Sequence, residues 1–438
     1  MRYSVMDPVN VGIIGLILLV FLFLLRVPVA FSMAIVGFLG FSYLSSFHAG
    51  LKLLARDFYE QFSNFPLSAI PMFILMGSFA FASGIGKRLY DAAYTILGNL
   101  RGGLSMATVV ACGFFAAICG STAATAATIG KIALPEMKRY HYDDSFATGC
   151  LASAGTLGIL IPPSTIFLVY GIITEQSVGK LFVAGIIPGI ILTFLFVMVV
   201  GLLCWYNPSC APAGASTDFK QKGKALVGIF EALLLFGLVI GGLFFGWFTP
   251  TQAGGIGAAG ALVIGLVRRQ LTWRVFIDST KDGLRTSCMV LCIIAGATVF
   301  GHFMAVSTIP FVLADWVGGL PLPPVAIMVV IIIIYLIGGC FMDAMALVVL
   351  TVPVIFPVVV KLGFDPIWFG VIIVLVSEMG VITPPVGVNV YVIKGIAPDV
   401  PLEKIFKGIF PFLIAIFVNT GILMAFPKLA LILPNLAK

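Results

Sequence analysis

The chain has 438 residues, of which 61% are hydrophobic and only 10% are charged, and its formal net charge is +7. So much apolar surface excludes a soluble globular domain and predicts an all-α polytopic membrane protein. The excess of Lys and Arg fits the positive-inside bias of membrane loops better than it fits a nucleic-acid partner.

The first half of the chain predicts five membrane crossings. We expect the first apolar segment to be a span and not a signal peptide, because it lacks a small-residue cleavage site and runs into Arg26 and Pro28. Two amphipathic stretches, His48–Ser63 and Lys87–Arg101, are typical of helices at the membrane surface. The predicted crossings are Val9–Leu25, Val29–Tyr43, Leu67–Ala82, Ala147–Thr174 and Leu181–Trp205.

Two adjacent prolines, Pro162 and Pro163, lie in the middle of the fourth crossing. They remove two backbone donors and clash with the preceding turn, and Gly158 loosens the chain just before them. The sequence therefore predicts a broken helix at about 147–174.

The apolar segment at about 104–138 is interrupted by the small residues Cys119, Gly120, Ser121 and Thr122. Each arm then has only about 13–15 residues, which is short for a full crossing at 1.5 Å per residue. We predict a re-entrant hairpin with its tip near Ser121.

The second half repeats the first with a shift of 222 residues, so that Pro162-Pro163 meets Pro384-Pro385 and Gly158 meets Gly380. We therefore expect two repeats, 1–207 and 225–438, joined by a cytoplasmic linker at 208–224. The second repeat should contain crossings at Leu226–Trp247, Gln252–Val267, Ser287–Met304 and Phe410–Phe426, a surface stretch at Arg268–Arg285, a hairpin at about 323–360 with its tip at Gly339–Asp343, and a broken helix at about 367–394.

Each half has about five crossings, and because five is odd the two repeats should have opposite orientations in the membrane. If the N-terminus lies outside, 18 of the 25 Lys and Arg residues fall on the inside. The positive-inside rule therefore predicts that both termini face the outside.

The two helix breaks are the candidate sites. An unwound segment exposes carbonyl oxygens, which lipid does not tolerate but which can coordinate Na⁺ beside a cavity or a partner loop. The simpler alternative is a proline kink used only for packing. The first candidate group is Ser121, Thr122, Gly158, Ile161 and Pro163, and the second is Gly339, Gly380, Thr383 and Val386.

Polar side chains near the breaks are candidates for a substrate site. Asp343 is a carboxylate at the second hairpin tip, where it could contact substrate, Na⁺ or a proton, or could cap a helix. Ser164, Thr165 and Asn389 follow the breaks and could line the cavity. Glu378 is left open between a supporting group and an interfacial pair. His302 is expected to be a packed, hydrogen-bonded histidine.

Catalytic patterns are absent from the sequence. It contains no HExxH, no phosphate-binding GxxxxGK[ST] and no Ser/His/Asp set, which argues against an enzyme, an organic cofactor and the direct use of ATP. The eight cysteines form no CxxC pair, and nothing in their placement suggests disulfides.

Several motifs resemble the large membrane subunit of TRAP transporters, the tripartite ATP-independent periplasmic transporters of the DctM/SiaM type. The resemblance covers nearly the whole chain and departs from the family at Ser377, where an asparagine is expected. The motifs are Arg26–Ala34, Gly120–Met137, Gly155–Ser164, Gly246–Gly254 and Gly380–Asn389.

The resemblance implies a location in a bacterial or archaeal cytoplasmic (inner) membrane and two partners, a small four-helix membrane subunit and a periplasmic substrate-binding protein. It also implies Na⁺-coupled import of a carboxylate, such as a C4-dicarboxylate or sialic acid. The fold should be an elevator, in which a transport domain built from the hairpins and broken helices moves against a scaffold. Na⁺ is expected at the carbonyls named above, and substrate near Ser121 and Asp343.

Two other functions stay open. One is a stand-alone Na⁺/dicarboxylate symporter or a cation/H⁺ antiporter of a related inverted-repeat fold. The other is a channel or structural subunit without alternating access. No arginine is well placed within the membrane, so an anionic substrate would be held by helix N-termini, hydroxyls and bound Na⁺.

Overall fold

The computed structural model describes residues 6–214 and 219–436, and the side chains of 219–227 are not described. The linker predicted at 208–224 therefore lies partly outside the described residues. Within the described ranges the chain is helical, with turns and short connections between the helices and no strand.

Helices α1 to α11 form the first half. They are α1 (Pro8–Leu24), α2 (Val29–Leu44), α3 (Phe47–Ser63), α4 (Ala69–Ala82, preceded by a 3₁₀ turn, Phe65–Ser68), α5 (Ile85–Leu97), α6 (Gly103–Cys119), α7 (Thr122–Arg139), α8 (Asp144–Ala154), α9 (Leu157–Leu160), α10 (Thr165–Ile173) and α11 (Val178–Tyr206).

Helices α12 to α21 form the second half. They are α12 (Phe219–Phe244), α13 (Pro250–Val267), α14 (Trp273–Val306), α15 (Ile309–Gly318), α16 (Pro324–Phe341), α17 (Ala344–Lys361), α18 (Pro366–Ile382), α19 (Val388–Ile396), α20 (Leu402–Ala425) and α21 (Lys428–Leu436).

Three features of the second half differ from the sequence-based expectations. Helices α15 and α21 were not predicted. Helix α14 is one continuous helix of 34 residues, where the sequence suggested a surface stretch followed by a crossing. In the first half, Asn64 and Pro66 interrupt the chain at the corresponding place, whereas the second half has Thr286 and Cys288, which do not stop a helix.

Seven helices in the described chain are long and apolar enough to cross a membrane, or eight if the bent unit Asp144–Ile173 counts as one span. The seven include α16 and α17, the arms of the second hairpin. The hairpin arms have 17 to 18 residues, longer than the 13 to 15 expected. Their length, about 27 Å at 1.5 Å per residue, does not by itself exclude a crossing.

The most extensive helix contacts define two groups of helices, called bodies below, and one hydrophobic core runs through both. In the first, α2 lies along α14 and α13 lies along α4, with α1, α3 and α12 beside them. In the second, α8 packs on α20 and α16 packs on α18, together with the other hairpin and broken helices. The close approach of α8 to α20 depends on Gly149 and Gly408, because a Cβ at Gly149 would lie 2.2 Å from the Gly408 carbonyl carbon.

Helix α3 is held on α14 by a buried carboxylate. The Asp57 side chain is fully buried, and its Oδ2 lies 2.7 Å from His302 Nδ1. Arg56 donates a longer hydrogen bond of 3.3 Å to Asp57 Oδ1. This agrees with a hydrogen-bonded role for His302. The outer side of α3 exposes large apolar residues such as Phe47 and Tyr59, as expected for a helix at a membrane surface.

Candidate functional site: two broken helices and two hairpin tips

The first break separates α9 from α10 at residues 161–164. Ile161 is extended, and the peptide bond between Pro162 and Pro163 is cis. Ser164 then caps α10, because its hydroxyl accepts the Phe167 N–H at 3.3 Å. The helix resumes at an angle of 40° to the segment before the break. The predicted break is therefore present, and three of its four residues are buried.

The tip of the first hairpin lies against this break. Thr165 Oγ1 donates a hydrogen bond of 3.2 Å to the Gly120 carbonyl. A Cβ added at Gly120 would lie 2.6 Å from the Pro163 carbonyl oxygen, and one added at Gly158 would lie 2.4 Å from the Ser121 carbonyl oxygen. Only glycine permits contacts this close, because any other residue would place its Cβ on the carbonyl oxygen. The glycines therefore allow the carbonyl oxygens of the tip and of the break to lie close together.

Thr125 belongs to this group but was not predicted from the sequence. Its Oγ1 is buried, lies 2.8 Å from the Cβ position of Gly158, and is next to the Cys119 thiol at the end of α6. Thr125 lies four residues after Ser121, so the two share a face of α7. That spacing was the available signal. Ile161, in contrast, directs its side chain at Gly189 of α11.

The second break separates α18 from α19 at residues 383–387. Thr383 ends α18, and its hydroxyl donates to the Met379 carbonyl at 2.5 Å. The peptide bond between Pro384 and Pro385 is also cis, and Gly387 has a φ of +59°. Pro384 and Pro385 are exposed, whereas Pro162 and Pro163 of the first break are buried.

The tip of the second hairpin also touches its break. A Cβ at Gly380 would lie 2.3 Å from backbone atoms of Gly339. Val386 N–H donates to the Cys340 carbonyl at 3.3 Å, a contact that the sequence did not suggest. Gly339, Gly380, Thr383 and Val386 therefore lie in one connected group.

Asp343 begins α17 at the tip of the second hairpin. Its carboxylate accepts the Met345 N–H at 3.0 Å and the side chain is exposed. The residue is thus a helix cap with an exposed side chain. Both roles considered from the sequence are compatible with this position.

Asn389 lies away from any open surface. It is fully buried, and its amide donates to the Ala152 carbonyl of α8 at 3.2 Å. The same amide nitrogen lies 3.2 Å from the Cβ position of Gly155. Asn389 therefore joins the helix after the second break to the helix before the first break, and only its Oδ1 is free of described partners.

Glu378 is fully buried, and neither carboxylate oxygen has a partner among the described residues. At about 100° per residue, its side chain points roughly 160° away from the face on which Gly380 meets the hairpin tip. It makes no ion pair with a described residue, so the interfacial pair considered from the sequence is not observed. The supporting role, the other one considered, stays a prediction.

The donors gathered at the two breaks are carbonyl and hydroxyl oxygens. Among the described residues no group of three or more His, Cys, Asp or Glu side chains could hold a metal ion. Oxygen donors of low charge suit a hard cation better than a transition metal. The arrangement is chemically suited to a monovalent or weakly bound cation and shows no nucleophile beside a base.

Comparison with known proteins agrees with the motifs. The sequence model of the family described as "Tripartite ATP-independent periplasmic transporter, DctM component" matches residues 16–429. The chain is 37% identical over 392 residues to the C4-dicarboxylate TRAP transporter large permease protein DctM of Pseudomonas aeruginosa, covering 88% of this chain and 90% of that protein.

The chain is also 32% identical over 410 residues to the sialic acid TRAP transporter large permease protein SiaM of Vibrio cholerae, covering 93% of this chain and 95% of that protein. Among solved structures, the YdaH transporter of Alcanivorax borkumensis superposes with a TM-score of 0.61 at 18% identity, covering 87% of this chain and 89% of that one. At this identity the structural match supports the fold alone.

Proposed function

Because the chain belongs to the DctM component family of tripartite ATP-independent periplasmic transporters, we propose that it is the large membrane subunit of a Na⁺-coupled importer of carboxylates. The substrate would be a C4-dicarboxylate, sialic acid or a related organic acid, as the names of the relatives suggest. The observation that carries the proposal is the contact between each helix break and its own hairpin tip.

The tip–break contacts support two Na⁺ sites. At the first, the carbonyls of Ser121 and Pro163 approach glycines closely, and Thr125 brings a buried hydroxyl whose partner is the Cys119 thiol. A thiol is a weak hydrogen-bonding group, so a bound cation would satisfy the Thr125 oxygen better. At the second, Gly339, Thr383 and Val386 would contribute through the backbone or a hydroxyl. Na⁺ would supply positive charge beside the substrate carboxylate, because no arginine is well placed there within the membrane.

The substrate site is proposed between the two tips. Ser121, Thr165 and the exposed carboxylate of Asp343 would contact it, while Ser164 would act through the N-terminus of α10 that it caps. The buried position of Asn389 favours a role in holding the two breaks together over direct contact.

The transport movement is proposed to be an elevator between inverted repeats. The helices already divide into two bodies, with both hairpins and both breaks in the second. Two repeats of opposite orientation can exchange conformations and so expose a central site to either side of the membrane in turn. Both termini are proposed to lie on the periplasmic side.

The partners proposed from the tripartite family description are a small four-helix membrane subunit and a periplasmic substrate-binding protein. The experiment is reconstitution of this chain with the small subunit in liposomes, with uptake measured with and without the binding protein under an inward Na⁺ gradient. Uptake should require both the binding protein and the Na⁺ gradient. Uptake without the binding protein would favour a stand-alone symporter, and uptake without any gradient would indicate a channel.

A further inference from the structure

The connecting helices α5 and α15 occupy corresponding places in the halves but pack differently. Helix α5 packs on the first hairpin and also along α12 of the first body. Helix α15 packs mainly on α17 of the second hairpin and makes few contacts with α1, the counterpart of α12. One connecting helix therefore bridges the bodies while the other follows its hairpin.

A cluster of three charged residues holds α5 on the first body. Arg88 Nη2 of α5 lies 2.8 Å from Glu231 Oε2 of α12, and Arg268, after α13, donates from Nε to Glu231 Oε1 at 2.6 Å. Arg88 also donates to the Ser83 carbonyl at 3.0 Å. The side chain of Glu231 is only 16% exposed, so solvent screens these pairs less than it screens most surface ion pairs.

The helices also approach closely at this place. A Cβ at Gly228 of α12 would lie 3.3 Å from the Arg88 carbonyl oxygen and 3.8 Å from the Ala92 Cβ. The carboxylate of Glu231 thus reaches Arg88 across a short gap and is shared with Arg268. Neutralising Glu231 removes both charge contacts at once.

The positions that the repeat relates to this cluster hold no charged residues. With the shift of 222 residues, Arg88, Glu231 and Arg268 correspond to Pro310, Val9 and Ser46, none of which carries a charge. Helix α15 makes an ion pair with its own hairpin and not with the first body, because Asp315 lies 2.5 Å from Lys361 of α17. The Asp315 side chain is 78% exposed.

We propose that Arg88, Glu231 and Arg268 form an ionic latch that stabilises one of the two transport states and opens in the other. This rests on the proposed function, in which the halves exchange conformations. In the exchanged state α15 would lie on α1 and α5 would leave α12. The latch would then be broken, and no charged cluster would replace it. These are positioning residues that bias the cycle and do not touch substrate.

The first test is hydrogen–deuterium exchange of the full chain with its small subunit in lipid nanodiscs. Glu231→Gln should raise exchange in α5 and the facing part of α12 by about two- to tenfold, the range expected for loss of partly exposed ion pairs. Glu231→Asp keeps the charge and should restore most of the protection. The matched control is Asp315→Asn, which neutralises the paired carboxylate of the other connecting helix, α15, and should leave exchange in α5 unchanged. Equal α5 exchange in Glu231→Gln and wild type would overturn the latch.

The second test asks whether the contact opens during transport. The pair Arg88→Cys and Glu231→Cys is joined by a short bifunctional thiol reagent that a reductant cleaves, with each single variant as the control for native cysteines such as the exposed Cys288. Crosslinking should block uptake until the crosslink is reduced. Na⁺ should still raise the thermal unfolding temperature of the crosslinked protein, which would show that ion binding is intact. Full uptake through the crosslink would reject a latch that opens. If the wild-type complex shows no Na⁺-driven uptake, the proposed function fails, and the exchange comparison still decides whether Glu231 holds α5.

Discussion

Replacing Gly380 by alanine would press a methyl group into the tip of the second hairpin. The added Cβ would lie 2.3 Å from two backbone atoms of Gly339, whereas ordinary contact begins at 3.4 Å, so the tip must retreat by 1.1 Å. Because the obstructing atoms are backbone, no rotamer change relieves the clash. Overpacking of this kind costs about 1–3 kcal/mol, which corresponds to a loss of about 5- to 150-fold in Na⁺ affinity at this break.

The assay is the rise in thermal unfolding temperature with Na⁺ concentration, followed by Na⁺-dependent uptake in liposomes. Gly339→Ala should show a smaller loss, because its Cβ would lie 3.0 Å from the Gly380 Cα. Gly395→Ala is the matched control in α19, since its Cβ would meet nothing within 4 Å. Wild-type Na⁺ dependence in Gly380→Ala would refute the idea that tip and break form one cation site.

Three further outcomes test other parts of the chain. Asp343→Asn keeps a capping side chain but removes the charge, and we expect uptake at least about tenfold lower with normal membrane insertion; uptake at the wild-type rate would remove the carboxylate from the site. Asp57→Asn leaves His302 without its buried anionic partner and should cost about 1–3 kcal/mol, seen as a lower unfolding temperature and faster exchange in α3; no change in either would contradict the anchoring role. The hydrogen bond from Lys138 lowers the pKa of Asp399 in the α19–α20 connection. That contact should therefore stabilise the chain above the carboxylate's unfolded pKa and be lost as pH falls through the lowered value, whereas Asp399→Asn should remove this part of the pH dependence of unfolding.

The breaks could be predicted from sequence because proline acts locally. Pro162-Pro163 and Pro384-Pro385 interrupt a helix whatever surrounds them, and the small residues before Ser121 mark a tip in the same way. The match to the family rests on the same local motifs. The predicted Na⁺ and substrate ligands, the inverted repeats and the elevator movement stay predictions.

The remaining features depend on contacts between distant parts of the chain. Glu231 and Arg88 are 143 positions apart, and nothing near either residue indicates that they pair. Thr125 could have been found from its spacing to Ser121, but its burial beside Gly158 is a property of packing. The continuity of α14 does not follow from its run of charges, which is equally typical of a helix at the membrane surface, although no proline or glycine pair ends the helix there.

The hydrogen bond from Asn389 to the Ala152 carbonyl has a consequence for biosynthesis. Its partners are 237 residues apart, and ribosomes add about 5–20 residues per second. The Ala152 carbonyl is therefore synthesised roughly 10–50 seconds before the Asn389 amide that donates to it. During that interval α19 is not yet present to pack on α8. The contact between α8 and α19 cannot form in a nascent first half, so two halves expressed separately would have to meet in the membrane before it is made.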